Sequence, residues 1–283
     1  MKGRKGRQMI LAGIVTYNPD IDRLRECIDA VLPQVDKVLV FDNASTNIEQ
    51  VLQIVGDYQE GVILHMNGVN AGVAAALSEI MEYALDNGYD WVLSMDQDSV
   101  LQSGIIDVYK RAIKRCPNAG MFTCLIKDRN FTDMKNESQR AAISAVPYCI
   151  TAGALTNVKA YAETEGYDKS FFIDGVDFDI CYSLREKGYR IYRVKRLGVL
   201  QEVGHGENRW LLWKRIVIYN ESPDRVYYMA RNKVKLFKKH KEYGLYTLLT
   251  KEAGHLFRIC FYEKEKKEKI RNFFRGLIDG MRK

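Results

Sequence analysis

Asp96 and Asp98 stand two residues apart in Asp96-Gln97-Asp98, directly after the apolar run Trp91–Met95. Carboxylates at the end of a buried strand are hard oxygen ligands that can hold Mg²⁺ or Mn²⁺ against a diphosphate. The plainer alternative is a charged loop leading into the next helix. A second acidic group, Asp174, Asp177 and Asp179, precedes a helical pattern at Ile180–Lys187. Carboxylates this dense repel, which raises one pKa and suits that group to accept a proton. Acids complementing a helix dipole would look the same. Asp42-Asn43 ends the run Val38–Phe41, where a carboxylate can bind a base or ribose. An Asx-turn with Ser45 capping the next helix is compatible with that role. Asn70-Ala71-Gly72 opens a helical stretch whose N–H groups and dipole suit an anion. His205, between Gly204 and Gly206, fits a tight backbone near a ligand or a surface loop. Arg231-Asn232, after Tyr227-Tyr228, offers a cation and an amide to phosphate or sugar, or else a solvated helix face. Ala152-Gly153-Ala154 lets a backbone approach something closely.

These residues need elements to hold them. Short apolar runs at Met9–Val15, Val38–Phe41, Val62–Met66 and Trp91–Met95 alternate with helical patterns at Ile21–Leu32, Ile48–Val55 and Ala71–Leu85. That order predicts an α/β fold with a mostly parallel, doubly wound sheet and helices on both faces. Ligands gather at the carboxyl ends of such strands. Thr16-Tyr17-Asn18, Asp42-Asn43, Asn70-Ala71-Gly72 and Asp96-Gln97-Asp98 would all share that rim. A helix at Ile105–Lys114 and a strand at Met121–Leu125 continue the pattern, and Lys127–Arg140 reads as a surface loop. The chain has neither G-x-x-x-x-G-K-[ST] nor G-x-G-x-x-G, which weighs against a P-loop NTPase or a dinucleotide oxidoreductase.

Composition narrows the class. With 47% hydrophobic and 28% charged residues in 283, the chain is globular and not low-complexity. No run of about 18 apolar residues suits a membrane span. The seven-residue apolar run after the basic start is read as a buried strand, not a signal peptide. Six scattered cysteines argue for a reducing compartment, here the cytoplasm. The net charge is +7, yet residues 233–283 hold 15 Lys/Arg against 6 Asp/Glu. The body is therefore near neutral and the tail basic, which fits an anionic surface, either membrane or nucleic acid.

In this order the marks resemble family 2 nucleotide-sugar glycosyltransferases of the GT-A fold, over about residues 9–235. The resemblance rests on the strand entering Thr16-Tyr17-Asn18, Val40-Phe41-Asp42-Asn43-Ala44-Ser45, Asn70-x-Gly72, Asp96-Gln97-Asp98, Ala152-Gly153-Ala154, and the acidic motif before a helix ending Lys187-Gly188-Tyr189. Phe172-Ile173-Asp174-x-Val176-Asp177-x-Asp179 and Tyr227-Tyr228-x-x-Arg231-Asn232 are most similar to bacterial rhamnosyltransferases that build cell-surface polysaccharides. The resemblance implies residues 1–8 as a basic extension and 9–232 as a catalytic domain. Within that domain, 9–100 would bind nucleotide and 101–232 acceptor, with 233–283 a helical tail. It implies Asp42, Thr16 and Tyr17 at the nucleotide base, Asp96 at ribose or sugar, and Asp98 with His205 on Mg²⁺ or Mn²⁺ at the diphosphate. Asn18, Asn43, Asn70, Gly72, Gly153, Asp174, Arg231 and Asn232 join the substrate site. Asp177 becomes the general base, although Val176 stands where many members have Glu, so Asp174 or Asp179 shares in the question.

The implied reaction is an inverting transfer of L-rhamnose from dTDP-L-rhamnose to a hydroxyl of a growing surface glycan, carried on a polyprenyl diphosphate. UDP-galactofuranose or UDP-glucose is the rival donor. For the tail, an apolar face of Leu256, Phe257, Phe261, Phe273 and Phe274 would seat the protein peripherally on the inner membrane face. A helical subdomain packed on the core is the alternative. A nucleic-acid-binding role for the tail is a more distant reading, and the near-neutral body argues against it.

Overall fold

The computed structural model describes residues 8–128, 142–201, 207–211 and 214–282. The strands are β1 (Ile10–Thr16), β2 (Lys37–Asp42), β3 (Val62–Met66), β4 (Trp91–Asp96), β5 (Val100–Leu101), β6 (Ala119–Asp128), β7 (Ile143–Val146), β8 (Ala154–Asn157), β9 (Arg190–Gln201), β10 (Glu207–Leu211) and β11 (Lys214–Ile218). The α-helices are α1 (Ile21–Val31), α2 (Ile48–Asp57), α3 (Val73–Asp86), α4 (Ile105–Ile113), α5 (Val158–Ala162), α6 (Val176–Glu186), α7 (Pro223–Lys239), α8 (Leu245–Tyr262) and α9 (Lys266–Arg282).

Each early strand is a short apolar run, and each intervening helix is long enough to cross back over the sheet. The result is a parallel block in the order β3-β2-β1-β4. Buried side chains line both faces of this block. Leu11, Leu39, Phe41 and Val92 pack with α3 on one side, while Ile10, Ile14, Val38, Val40 and Leu93 pack with α1 and α2 on the other. Beyond β4 the sheet turns mixed. β8 runs antiparallel to both β4 and β6, and β9 runs parallel to β6. Short β5 and β7 pair antiparallel with β9. β10 and β11 form a separate antiparallel hairpin.

Two expected boundaries fall inside elements. The division at 100/101 falls inside β5, which pairs across to β9 and so ties the two halves together. The break after residue 232 falls in the middle of α7, which runs unbroken from its N-cap, Ser222, to Lys239. The basic region is therefore the second half of α7 plus α8 and α9. These three helices share a small core of Val226, Ala230, Ile259 and Phe273. Helical structure there begins at Pro223, after the hairpin, ten residues before the expected start of the tail at 233.

Candidate active site

The rim loops at the carboxyl ends of β1, β2, β3 and β4 are laced to one another. Asp42, 1% exposed, accepts from the Thr16 hydroxyl at 3.0 Å, from the Ser45 backbone N–H at 2.9 Å and from the Ser45 hydroxyl. Ser45 in turn accepts the Asn18 N–H at 2.8 Å, and Asn18 Oδ1 accepts from Thr46. The N-cap of α2 is Asn47, so Ser45 shapes the Asp42 turn and does not cap the helix. Asn43, 2% exposed, donates to Asn70 Oδ1 at 2.9 Å and accepts from the Ala71 N–H at 3.0 Å. Tyr17, 48% exposed, is held by its backbone, whose N–H donates to Gln97 at 2.8 Å. Sequence reasoning passed over Gln97, yet its side chain joins the β1 and β4 loops. Four buried or tethered loops thus form one preorganised floor around an exposed tyrosine ring.

Asn70 and Gly72 sit on this floor, but their helix start is not an open anion cradle. The Val73 N–H donates to the Phe172 carbonyl at 2.7 Å, and Ala74 to the same oxygen at 3.4 Å. Gly72 N–H is taken by Asn70 Oδ1. Gly72 has φ +85°, and a Cβ there would collide with Phe172 backbone, so only glycine lets the two segments meet. The close approach expected at Gly153 is likewise to the chain itself. Its N–H donates to Ser94, its carbonyl accepts from buried Tyr109, and Val199 fills the space of a Cβ.

Phe172 belongs to the loop that leads into α6. Phe172 and Asp174 both hold positive φ, at 63° and 62°, followed by Gly175 at 83°. Such strained residues persist only where neighbours over-determine them. α3 does so from one side, through its first amides. α7 does so from the other, because the Asn232 amide donates to the carbonyls of Phe171, Ile173 and Asp174 at 2.7–2.9 Å. Arg231 adds bonds to the Ser170 and Phe171 carbonyls and to Asn232 Oδ1. Both side chains, expected at phosphate or sugar, are spent on shaping this loop. Asn232 is 1% exposed, not on a solvated face. Asp174 is paired with Arg225, Nε to Oδ2 at 3.1 Å.

Asp177 lies in the first turn of α6, where its Oδ1 accepts the Thr151 backbone N–H at 2.9 Å. Burial pushes its carboxyl above the usual range, more than the Thr151 bond offsets. Asp96 is driven up to about 7, first by burial and then by the charges of Asp177 and Asp98. The end of β4 and the start of α6 therefore bring three carboxylates within electrostatic reach. Gln201, at the end of β9, donates to Asp96 Oδ2 at 2.7 Å; no sequence signal marked it. Asp179 stands apart from this group. It is buried under α7, with His240 Nε2 at 2.8 Å and Lys239 Nζ at 2.9 Å. His205 lies outside the described residues. Among the described residues no three His, Cys, Asp or Glu side chains converge as a metal site. Beside Asp174 opens a cavity of about 260 Å³ between α6, α7 and α8, walled by Tyr148, Phe178, Tyr182 and Tyr243.

A sheet rim that joins a carboxylate pair to a base-like carboxylate across two half-sheets fits a transferase of activated sugars. The family model described as Glycosyl transferase family 2 matches residues 12–161, more than half of the chain. The chain belongs to glycosyl transferase family 2. It is 24% identical to dTDP-rhamnosyl transferase RfbF of Shigella flexneri, over 96% of this chain and 95% of that one. Among solved structures, this family 2 chain superposes on S. aureus TarS (residues 1–349) with a TM-score of 0.63. That pair is 13% identical, over 96% of this chain and 81% of TarS. A crystal structure of GalNAc-T7 with UDP, GalNAc and Mn²⁺ matches with a TM-score of 0.61 and 14% identity, over 94% and 56% of the respective chains. The fold is GT-A-like, and the protein is a glycosyltransferase.

Proposed function

We propose that this glycosyltransferase moves L-rhamnose from dTDP-L-rhamnose onto a hydroxyl of a cell-surface glycan, with inversion at the anomeric carbon. The observation that carries the reading is Asp177, half-buried, raised in pKa and anchored by Thr151, within charge reach of Asp96, which itself stands beside Asp98. Likeness to RfbF along nearly the whole chain favours the rhamnosyl donor. Thr16, Tyr17 and Asp42 form the nucleotide floor. Asp177 takes the proton of the acceptor hydroxyl as that oxygen attacks the anomeric carbon, and the nucleotide diphosphate departs. One base with no second nucleophile gives inversion, so a β-linked donor yields an α-L-rhamnoside.

The donor set suits Mg²⁺ or Mn²⁺: Asp96 and Asp98 are oxygen ligands that repel each other, and such ions are commonly held by one or two carboxylates plus substrate phosphates. Asp98 would hold the ion with Asp96 beside it, and the ion would neutralise charge on the departing diphosphate. The aromatic cavity gives the acceptor glycan a place to stack beside Asp174 and Phe178, on the same loop and helix start that carry Asp177.

Calorimetric titration of dTDP and UDP, with and without Mn²⁺, on wild type and Asp98→Ala tests the reading. The expected result is Mn²⁺-dependent binding, tighter for dTDP and abolished by the substitution. Preference for UDP would transfer the reading to a UDP-sugar donor. Failure of both nucleotides to bind would overturn the site.

A further inference from the structure

The outer face of α8 is unusual for a solvated helix. Its exposed positions are 245, 246, 249, 250, 251, 253, 254, 257, 258 and 261. Leu245, Leu249, Ala253, Phe257 and Phe261 recur every fourth residue and make one row about 24 Å long. Tyr246 is 81% exposed, Leu249 59% and Phe261 66%, and the Phe257 and Phe261 rings lie 4.6 Å apart. The inward residues Leu248, Glu252, His255 and Ile259 are buried against the rest of the protein, so the row is not part of the core.

Charge on this surface has one sign along the helix. The only exposed charged residues of α8 are Lys251 and Arg258, and both are cationic. The aromatic end of the row runs into Lys264, Lys266 and Lys267, all exposed. On α9 the exposed positions combine Arg271, Arg275 and Arg282 with Phe274, Ile278 and Met281. The exposed acids of this region are Glu265 and Glu268. Of the apolar residues expected to form such a face, Phe273 is 2% exposed and belongs to the core shared with α7, and Leu256 packs against that core. Phe257, Phe261 and Phe274 remain outside.

We propose that the outer face of α8 docks on an anionic lipid membrane, with its aromatic row in the headgroup region and Arg258, Lys264, Lys266 and Lys267 on lipid phosphates. An uncharged row edged by cations matches the two phases of that surface, an apolar interior and an anionic rim. A second copy of this chain fits less well, because two copies of the face would bring the same cations together. No described helix is long and apolar enough to cross a membrane, so the contact is peripheral. The inference is independent of which sugar is transferred.

Flotation of the full-length protein with vesicles tests it. Vesicles of phosphatidylglycerol and phosphatidylethanolamine should bind at least ten-fold better than pure phosphatidylcholine, and the binding should weaken as salt rises. Phe257→Ser with Phe261→Ser, and separately Lys264→Glu with Lys267→Glu, should each cut binding about ten-fold. Both variants change exposed residues away from the nucleotide floor, and nucleotide titration reports that the fold is retained. Equal binding to both lipids, or binding untouched by either variant, overturns the proposal. So does a wild-type dimer in solution that the phenylalanine variant dissolves, or salt-sensitive RNA binding without vesicle binding.

Discussion

As the proposed base, Asp177 is asked to do two opposed things: sit half-buried, and be ionised when acceptor arrives. Desolvation raises its pKa and makes it the stronger base, while the Thr151 amide on Oδ1 favours the ionised form and leaves the other oxygen for a proton. Asparagine can keep the Thr151 bond through its own oxygen while losing all basicity. Asp177→Asn should therefore bind nucleotide as wild type does and lose about 10²–10⁴-fold in turnover. Near-normal turnover, measured beside an unchanged nucleotide titration, would remove Asp177 from the role. Other residues gain their meaning only from contacts. Asn232 was open to two readings because an amide near an arginine can meet either solvent or phosphate. Three backbone carbonyls from a loop some sixty residues earlier decide its place, and nothing local in the sequence encodes them. Gln201 is invisible for the same reason, since its partner Asp96 lies 105 residues away.

At the scale of elements, the parallel block was legible because each of its strands is a complete apolar run and each helix carries its own periodicity. β8 was not. Ala154–Asn157 is only four residues long, and it becomes a strand by filling the gap between β4 and β6. The Ala152-Gly153-Ala154 stretch leading into it reads as a close approach to something, and the close neighbour of Gly153 is Val199 of β9. Helix ends were misjudged where capping is tertiary: the start of α3 looked free for an anion and is closed by Phe172. The join of α6 to the end of α7 carries a pH signature. Burial works against a charged His240, but hydrogen bonds to Asp179 and Glu186 outweigh it and raise its pKa above 6.5. A raised folded pKa adds stability that is fully present below the unfolded value and fades as pH climbs through the folded one. Thermal stability should thus fall as pH is raised from about 6.5 through the raised value, and His240→Gln should flatten that slope. A Tm profile with the same slope in both proteins would detach His240 from it.

At the scale of the whole molecule, the proposed reaction draws on parts joined across long stretches of the chain. The proposed nucleotide floor is assembled from residues 16–98, with ties that reach the 80 residues between Tyr17 and Gln97. The Phe172–Gly175 loop needs in addition α3, about a hundred residues upstream, and α7, about sixty downstream, each of which bonds it. Contacts of that separation are slow to close. During refolding from denaturant, nucleotide affinity should return first and turnover should lag behind it, because turnover requires the floor and also the proposed base beside that loop. Simultaneous recovery of both would mean that the loop takes its shape without waiting for α7.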